Sequence, residues 1–281
     1  MSVTHYRRSH GVSLLLLPIA LAACAAISAV ASIVYAYCMV YVPVVQLAFL
    51  LPLLFGAGMG ATLALVMKKC KVRSTFLAVG VAFLFTAGSY FLSWLPWTYA
   101  TVARADVDVS VLDVLFPPSL VVMIANIYET GAWSIGTGSG APVSGVMLGI
   151  CWALEAVFVL GAAPLAAFGV AAGGVFCESC QTWCTAHRDV MRLPPQAQGA
   201  LATRLDAQDF TVLAETPRAQ PYDNPFLRVD LHRCTGCGAT NTLSLSLVTR
   251  TQQNGKEQLH EAPVVQDVLI TRDYADWVQK G

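Results

Sequence analysis

The first hundred residues contain no aspartate or glutamate, and their only formal charges sit on Arg7, Arg8, Lys68, Lys69, Lys71 and Arg73. A water-solvated domain carries charge of both signs throughout, on about a quarter of its residues. Here the charged fraction is 12% over 281 residues and the hydrophobic fraction 56%, with a mean hydropathy of +0.60. The chain also lacks a GxGxxG turn, a Walker phosphate loop, an HExxH pair and any repeat of about 20 to 50 residues, which removes the common nucleotide, zinc-protease and solenoid readings. Net charge is zero, so there is no basic field that would draw nucleic acid, and none is expected as a partner.

Long apolar runs stand in place of charge. Residues 12–37 form the first, and Arg7 and Arg8 before it raise the rival reading of a cleaved signal peptide. Its length decides the matter, because a signal core needs about 7 to 15 apolar residues and a bilayer crossing about 20. Residues 44–67, 74–95 and 142–166 are the other three expected spans, the last with a possible extension toward Val175. The third closes on Tyr90, Phe91, Trp94, Trp97 and Tyr99, which suit an interfacial belt. Basic residues flank the N-terminus and the 68–73 loop, whereas the 37–43 turn has none and the 98–141 loop only Arg104. The positive-inside rule then places both termini in the cytoplasm of a bacterial-type inner membrane.

Residues 109–133 are interrupted by Asp113, Pro117 and Pro118 and are too broken to cross. An extended piece through Val107 and Val111 is expected there, followed by a short interfacial or re-entrant helix begun by the two prolines. The glycine-rich residues 136–145 would return the chain to the last span. The sequence thus divides into a cytoplasmic tail (1–10), a four-span helical membrane domain (11–175) with an extracytoplasmic loop (98–141), and a cytoplasmic domain (176–281) of ordinary polarity.

In that last part, Cys177 and Cys180 form one Cys-x-x-Cys pair and Cys234 and Cys237 another, with residues 181–233 between Cys180 and Cys234. Two such turns close one tetrahedral thiolate site around Zn2+, and a separation this long makes the metal the staple of a whole small α+β domain. Residues 226–232 and 241–251 alternate as strands on either side of the second pair, Asn254-Gly255 marks a hairpin, and residues 264–271 a third strand. The cysteine turns and adjoining strands resemble a zinc ribbon, elaborated by an inserted helix near Ala200, Leu201 and Leu205 and a strand at 209–216. A terminal helix is capped near Thr271. A rival ligand set, Cys177, Cys180, Cys184 and His187, would leave Cys234 and Cys237 without a purpose.

Glu155 is the other candidate, a carboxyl halfway along the fourth span. Such residues mark ion or proton paths, and the alternative is a structural hydrogen bond to Ser28, Thr62 or Ser93. No second intramembrane charge accompanies it, which favours structure over transport. Gly56 and Gly60, and Gly145 and Gly149, repeat the GxxxG spacing of close helix packing, within the bundle or between copies in a homo-oligomer. Asp106, Asp108 and Asp113 could hold a divalent cation but read more simply as a solvated face. Cys24, Cys38, Cys70 and Cys151 read as small buried hydrophobes. A thiol-redox enzyme would want paired cysteines at the outer face, where only Cys38 lies, and Glu178, His187 and Asp189 have no catalytic spacing. The function expected is therefore docking or sensing by a zinc domain on a lipid-embedded bundle, with a protein partner and no catalysis. A small transporter or channel with Glu155 in its path is the alternative.

Overall fold

Leu and Ala dominate the four apolar runs and almost no charge interrupts them, so the backbone satisfies itself as helix. A computed structural model of the protein describes residues 5–7, 9–42, 45–105, 107–134, 142–220, 223–253 and 256–280. Asp106, the Asn254-Gly255 turn and residues 136–141 lie outside these. The chain divides into two compact units, one of residues His10–Gly173 and one that joins Met1–Ser9 to Gly174–Gly281.

The first unit holds four helices long and apolar enough to cross a membrane: α1 (Leu17–Tyr41), α2 (Val45–Lys69), α3 (Thr75–Arg104) and α6 (Gly145–Ala171). Between the last two lie α4 (Val111–Leu115), α5 (Pro117–Thr130) and a two-residue ribbon, β1 (Trp133–Ser134) with β2 (Pro142–Val143). The boundaries moved for local reasons. Pro18 sits in the first turn of α1 and Pro96 inside α3, which continues past the aromatic cluster to Arg104. Val111, expected in an extended piece, is helical instead. Ser110 caps α4, and Asp113 accepts from the Ser110 backbone N–H at 3.0 Å. Asp113 is thus a capping residue.

Helix α2 packs along α6, and α1 along α3. Gly56 and Gly60 make the first approach possible, since a methyl group at either would overlap the backbone of Val159 or Ala163. That stripe is used up within the chain. Gly145 faces open space at φ +56, so the second GxxxG does not repeat the device. Lys68 donates from Nζ to the Gly173 carbonyl at 2.8 Å and more weakly to Val170, closing the C-terminal end of α6 with a cation. The buried set includes Ser28, Ser32, Thr86, Ser89, Ser93 and Thr98, whereas Phe76, Leu84, Phe91, Val146 and Leu165 are exposed.

The second unit has the opposite distribution. A four-stranded antiparallel sheet runs in the order β5 (Thr185–Leu193), β6 (Phe226–Arg233), β7 (Asn241–Gln253), β8 (Lys256–Leu269). Leu227, Val229, Leu231, Leu243, Leu245 and Val268 pack against Leu201 and Leu205 of α7 (Gln198–Asp206), Val212 and Leu213 of α8 (Thr211–Glu215), and Ala275 and Val278 of α9 (Arg272–Lys280). Ala200, expected beside Leu201, is exposed. Within residues 209–216 the chain forms the short helix α8 rather than a strand, because Asp209 accepts from the N–H and hydroxyl of Thr211 and turns the chain. Thr271 caps α9 as expected, its Oγ1 3.4 Å from the Tyr274 N–H.

Two parts of this unit were not anticipated. Strand β5 was unmarked, and its register with β6 shifts between His187 and Met191, where Asp189 has φ +57. The sequence marks residues 1–10 only as a cytoplasmic tail, yet His5 bridges Val268 of β8 and the Tyr6 N–H donates to Asp267 at 2.8 Å. The Tyr6 hydroxyl also accepts from the Phe176 N–H at 3.0 Å.

Candidate metal centre

The two cysteine pairs sit on two hairpins. Strand β3 (Phe176–Cys177) returns through Glu178–Gln181 to β4 (Thr182–Trp183), and Phe176 and Trp183 stack edge to face across it at 5.1 Å. Gln181 takes φ +52 in the turn, and its side-chain amide ties back to Glu178 at 2.8 Å. The second turn joins β6 to β7, with the Cys234 N–H donating to Thr240 at 3.0 Å and the Gly238 N–H to Cys234 at 3.1 Å. Gly238 has φ +65, a conformation that other residues rarely adopt. Gly236 is needed for space, because a Cβ there would stand 3.0 Å from the Cys180 sulfur.

Together these turns bring the Sγ atoms of Cys177, Cys180, Cys234 and Cys237 within 4.8 Å of one another. Cys177–Cys237 is 3.5 Å and Cys234–Cys237 3.7 Å, and all nine cysteines are free thiols. A regular tetrahedron of sulfurs at the Zn–S distance of about 2.3 Å has edges of about 3.8 Å. The cluster fits that figure and is far too open for an S–S bond, which is about 2.05 Å. The four thiols could therefore hold a metal ion. Cys177 and Cys234 are buried and Cys237 is exposed, so the site lies at the rim of the unit.

Backbone donors prepare the sulfurs for that charge. Burial alone would push Cys234 up, but the Cys237 and Gly236 amides and the neighbouring thiols outweigh it and bring Cys234 down to about 6. Cys177 is likewise lowered, against its burial, by hydrogen bonds from Thr240, Cys180 and Cys237. Cys180 moves the other way, to about 12, because it donates to Cys237 and Cys234 and faces their charge. The metal-free cluster thus keeps a proton that a cation would displace.

Neither reserve ligand joins the group. Cys184 turns its sulfur to the Thr240 carbonyl at 3.7 Å, and burial first, then the nearby thiolates, push it to about 12. His187 lies on β5, opposite Leu231. Glu178 and Asp189 are drawn apart: Glu178 accepts from Gln181, and Asp189 from Arg192, whose hydrogen bond holds that carboxyl below its ordinary range. Glu155, on α6, accepts from the Tyr35 hydroxyl at 2.5 Å rather than from Ser28, Thr62 or Ser93. Tyr35 was the residue that sequence reasoning missed. A tyrosine in an apolar run reads as belt or core until a helix neighbour is known. Compared with known proteins, the chain matches no family model, no curated protein and no solved structure.

Proposed function

We propose that the chain is a multi-pass protein of a bacterial-type inner membrane whose C-terminal unit is a cytoplasmic zinc-stapled domain for docking or sensing a protein partner. The observation that carries this reading is the gathering of four thiols from two distant hairpins within 4.8 Å. Four thiolates fill a tetrahedral zinc, so no position is left for substrate and the metal's contribution goes to folding. Zinc is favoured over a disulfide-prone alternative by the reducing compartment that the topology implies.

The topology is supported from two sides. His5 and Tyr6 belong to the same folded unit as residues 174–281, which supports an even number of crossings. With four crossings, the 68–73 loop with its Lys and Arg residues falls on that same side. Docking is supported by residues 256–263 of β8, all exposed and polar but for Leu259, Ala262 and Pro263. The arm they form extends beyond the packed core.

Elemental analysis of the purified protein, beside a variant with Ser at 177, 180, 234 and 237, tests the staple. About one zinc per chain in the wild type and none in the variant is the expected result. The partner captured by the wild type should be lost with Cys234→Ser and Cys237→Ser. Metal-free protein with these thiols in disulfides would overturn both the zinc and the cytoplasmic placement.

A further inference from the structure

The helical unit contains a cavity of about 20 Å³ lined by Tyr35, Ser93, Trp94, Trp97, Trp152 and Glu155. That volume holds one particle of about the size of water. Its two hydroxyl groups share one property, which is that their protons are already committed. Tyr35 donates its hydroxyl proton to Glu155 at 2.5 Å, and Ser93 donates its own to the Tyr90 carbonyl at 2.7 Å. These hydroxyls and the carboxylate are thereby left with lone pairs to offer. The remaining walls are Ala36, Met39 and three indoles that meet edge to face, with centroids 4.9 Å apart for Trp94–Trp152, 5.4 Å for Trp94–Trp97 and 5.9 Å for Trp97–Trp152. Indole π surface attracts a desolvated cation. Among the described residues Glu155 makes one hydrogen bond and has no cationic partner.

We propose that this cavity binds one small, weakly hydrated monovalent cation, ammonium or potassium, with Glu155 as its countercharge. A single carboxylate suits a single positive charge. Sodium and lithium hold their water too firmly for indole walls to replace it. The site is independent of the metal centre and stands or falls without it.

The test is covalent modification of Glu155 by a hydrophobic carbodiimide in the full-length protein in mild detergent, followed by mass spectrometry of the peptide that carries it. The reagent takes the proton of the carboxylic acid and adds the carboxylate oxygen to its central carbon. The adduct then rearranges to an N-acylurea with every atom retained. An ionised Glu155 held by a cation has no proton to give. At fixed pH, with choline chloride keeping ionic strength constant, saturating ammonium chloride or potassium chloride should slow the modification about tenfold or more. Sodium chloride should not. Protection by ammonium alone assigns the site to a hydrogen-bonding cation, and equal protection by potassium to any ion of that size. Ser93→Ala removes one acceptor and should weaken the protection about threefold. Equal rates in every salt, protection by sodium as strong as by ammonium, or a Ser93→Ala variant protected as fully as the wild type would each overturn the proposal. So would a Glu155 that reacts only after denaturation, because the cavity would then have no access.

Discussion

The two units solve the same packing problem in opposite ways. In residues 174–281 the sheet and helices bury Leu201, Leu205, Leu227, Leu231, Leu243 and Leu245, and send Glu261 and Lys256 outward. In residues 10–173 the buried positions go to Ala20, Ala64, Ala82, Ser28, Thr86 and Ser89, and the outward ones to Phe76, Leu84, Phe91 and Leu165. Small and weakly polar residues inside, with large apolar residues outside, is the arrangement that lipid selects, because tails solvate leucine as well as a core does. The same contrast governs the thiols. Cys24 is buried among Ala20, Met59 and Leu63 as a small hydrophobe, while the four rim cysteines gather their sulfurs where a metal fits.

The largest expected effect breaks only one side of this comparison. Apparent binding energies of structural zinc run to roughly 10–16 kcal/mol, against a domain stability of about 5–15. A strong chelator, or Cys234→Ser with Cys237→Ser, should therefore unfold the C-terminal unit and leave the helices intact. Limited proteolysis reads this directly: fragments from residues 174–281 should disappear while a fragment of about residues 10–173 survives. A C-terminal unit that resists protease after chelation would mean that its leucine core suffices alone.

A pair of matched substitutions then tests the solvents themselves. Leu84 in α3 is 67% exposed and Leu259 in β8 is 58% exposed, so packing alone assigns both a small role. In lipid, Leu84→Asp should cost about 2.5–3.5 kcal/mol and reduce insertion and accumulation. Leu259→Asp, in water, should stay within about 0.5 kcal/mol of the wild type. Equal tolerance at the two positions would remove the membrane reading of α3.

The glycines give a smaller contrast within the helices. Gly60→Leu should separate α2 from α6 and lower the thermal stability of the detergent-solubilised protein by about 1–3 kcal/mol or more. Gly80→Ala and Gly161→Ala meet no neighbour within 4 Å and should be silent or slightly stabilising. If Gly60→Leu instead leaves stability intact and only dissociates an oligomer, the stripe belongs to an interface between copies.

How much of this was legible in the sequence depended on the range of the interaction that decides each feature. Helix existence and the cysteine spacing are local, and both were readable. The strand at Thr185–Leu193 was not, because Asp189 at φ +57 interrupts any alternation and only pairing with β6 makes it a strand. Likewise Asp209, not propensity, decides that Thr211–Glu215 coils. The metal cluster was legible as two pairs, but the role of Gly236 in admitting Cys180 needed coordinates. Tyr35 and Glu155 lie 120 positions apart, and His5 and Val268 further still, so no window along the chain connects them.

The subtlest expected difference is in acid sensitivity, and its sign follows from the thiols. A protonated cysteine must lose its proton to bind metal, so metal affinity falls as pH falls. Cys234, brought down to about 6, is already ionised in the metal-free protein at neutral pH and releases nothing there. Cys180, pushed up to about 12, carries its proton throughout the accessible range and always releases it. Between about pH 6 and 8 the logarithm of apparent zinc affinity should therefore rise with a modest slope that includes the Cys180 proton. Below about pH 6 it should steepen by one further proton, about tenfold more per pH unit, as Cys234 joins the competition. Competition with a chromophoric chelator across this range measures both slopes, and potentiometric counting of protons released per zinc checks them independently. The break should shift upward if the Gly236 amide is moved, as in Gly236→Ala, since that N–H is among the donors holding Cys234 down and its displacement also presses on Cys180. A slope without a break would mean that the two knuckles ionise as one group, and the contrast between a buried, amide-held sulfur and a half-buried, proton-bearing one would then have to be given up.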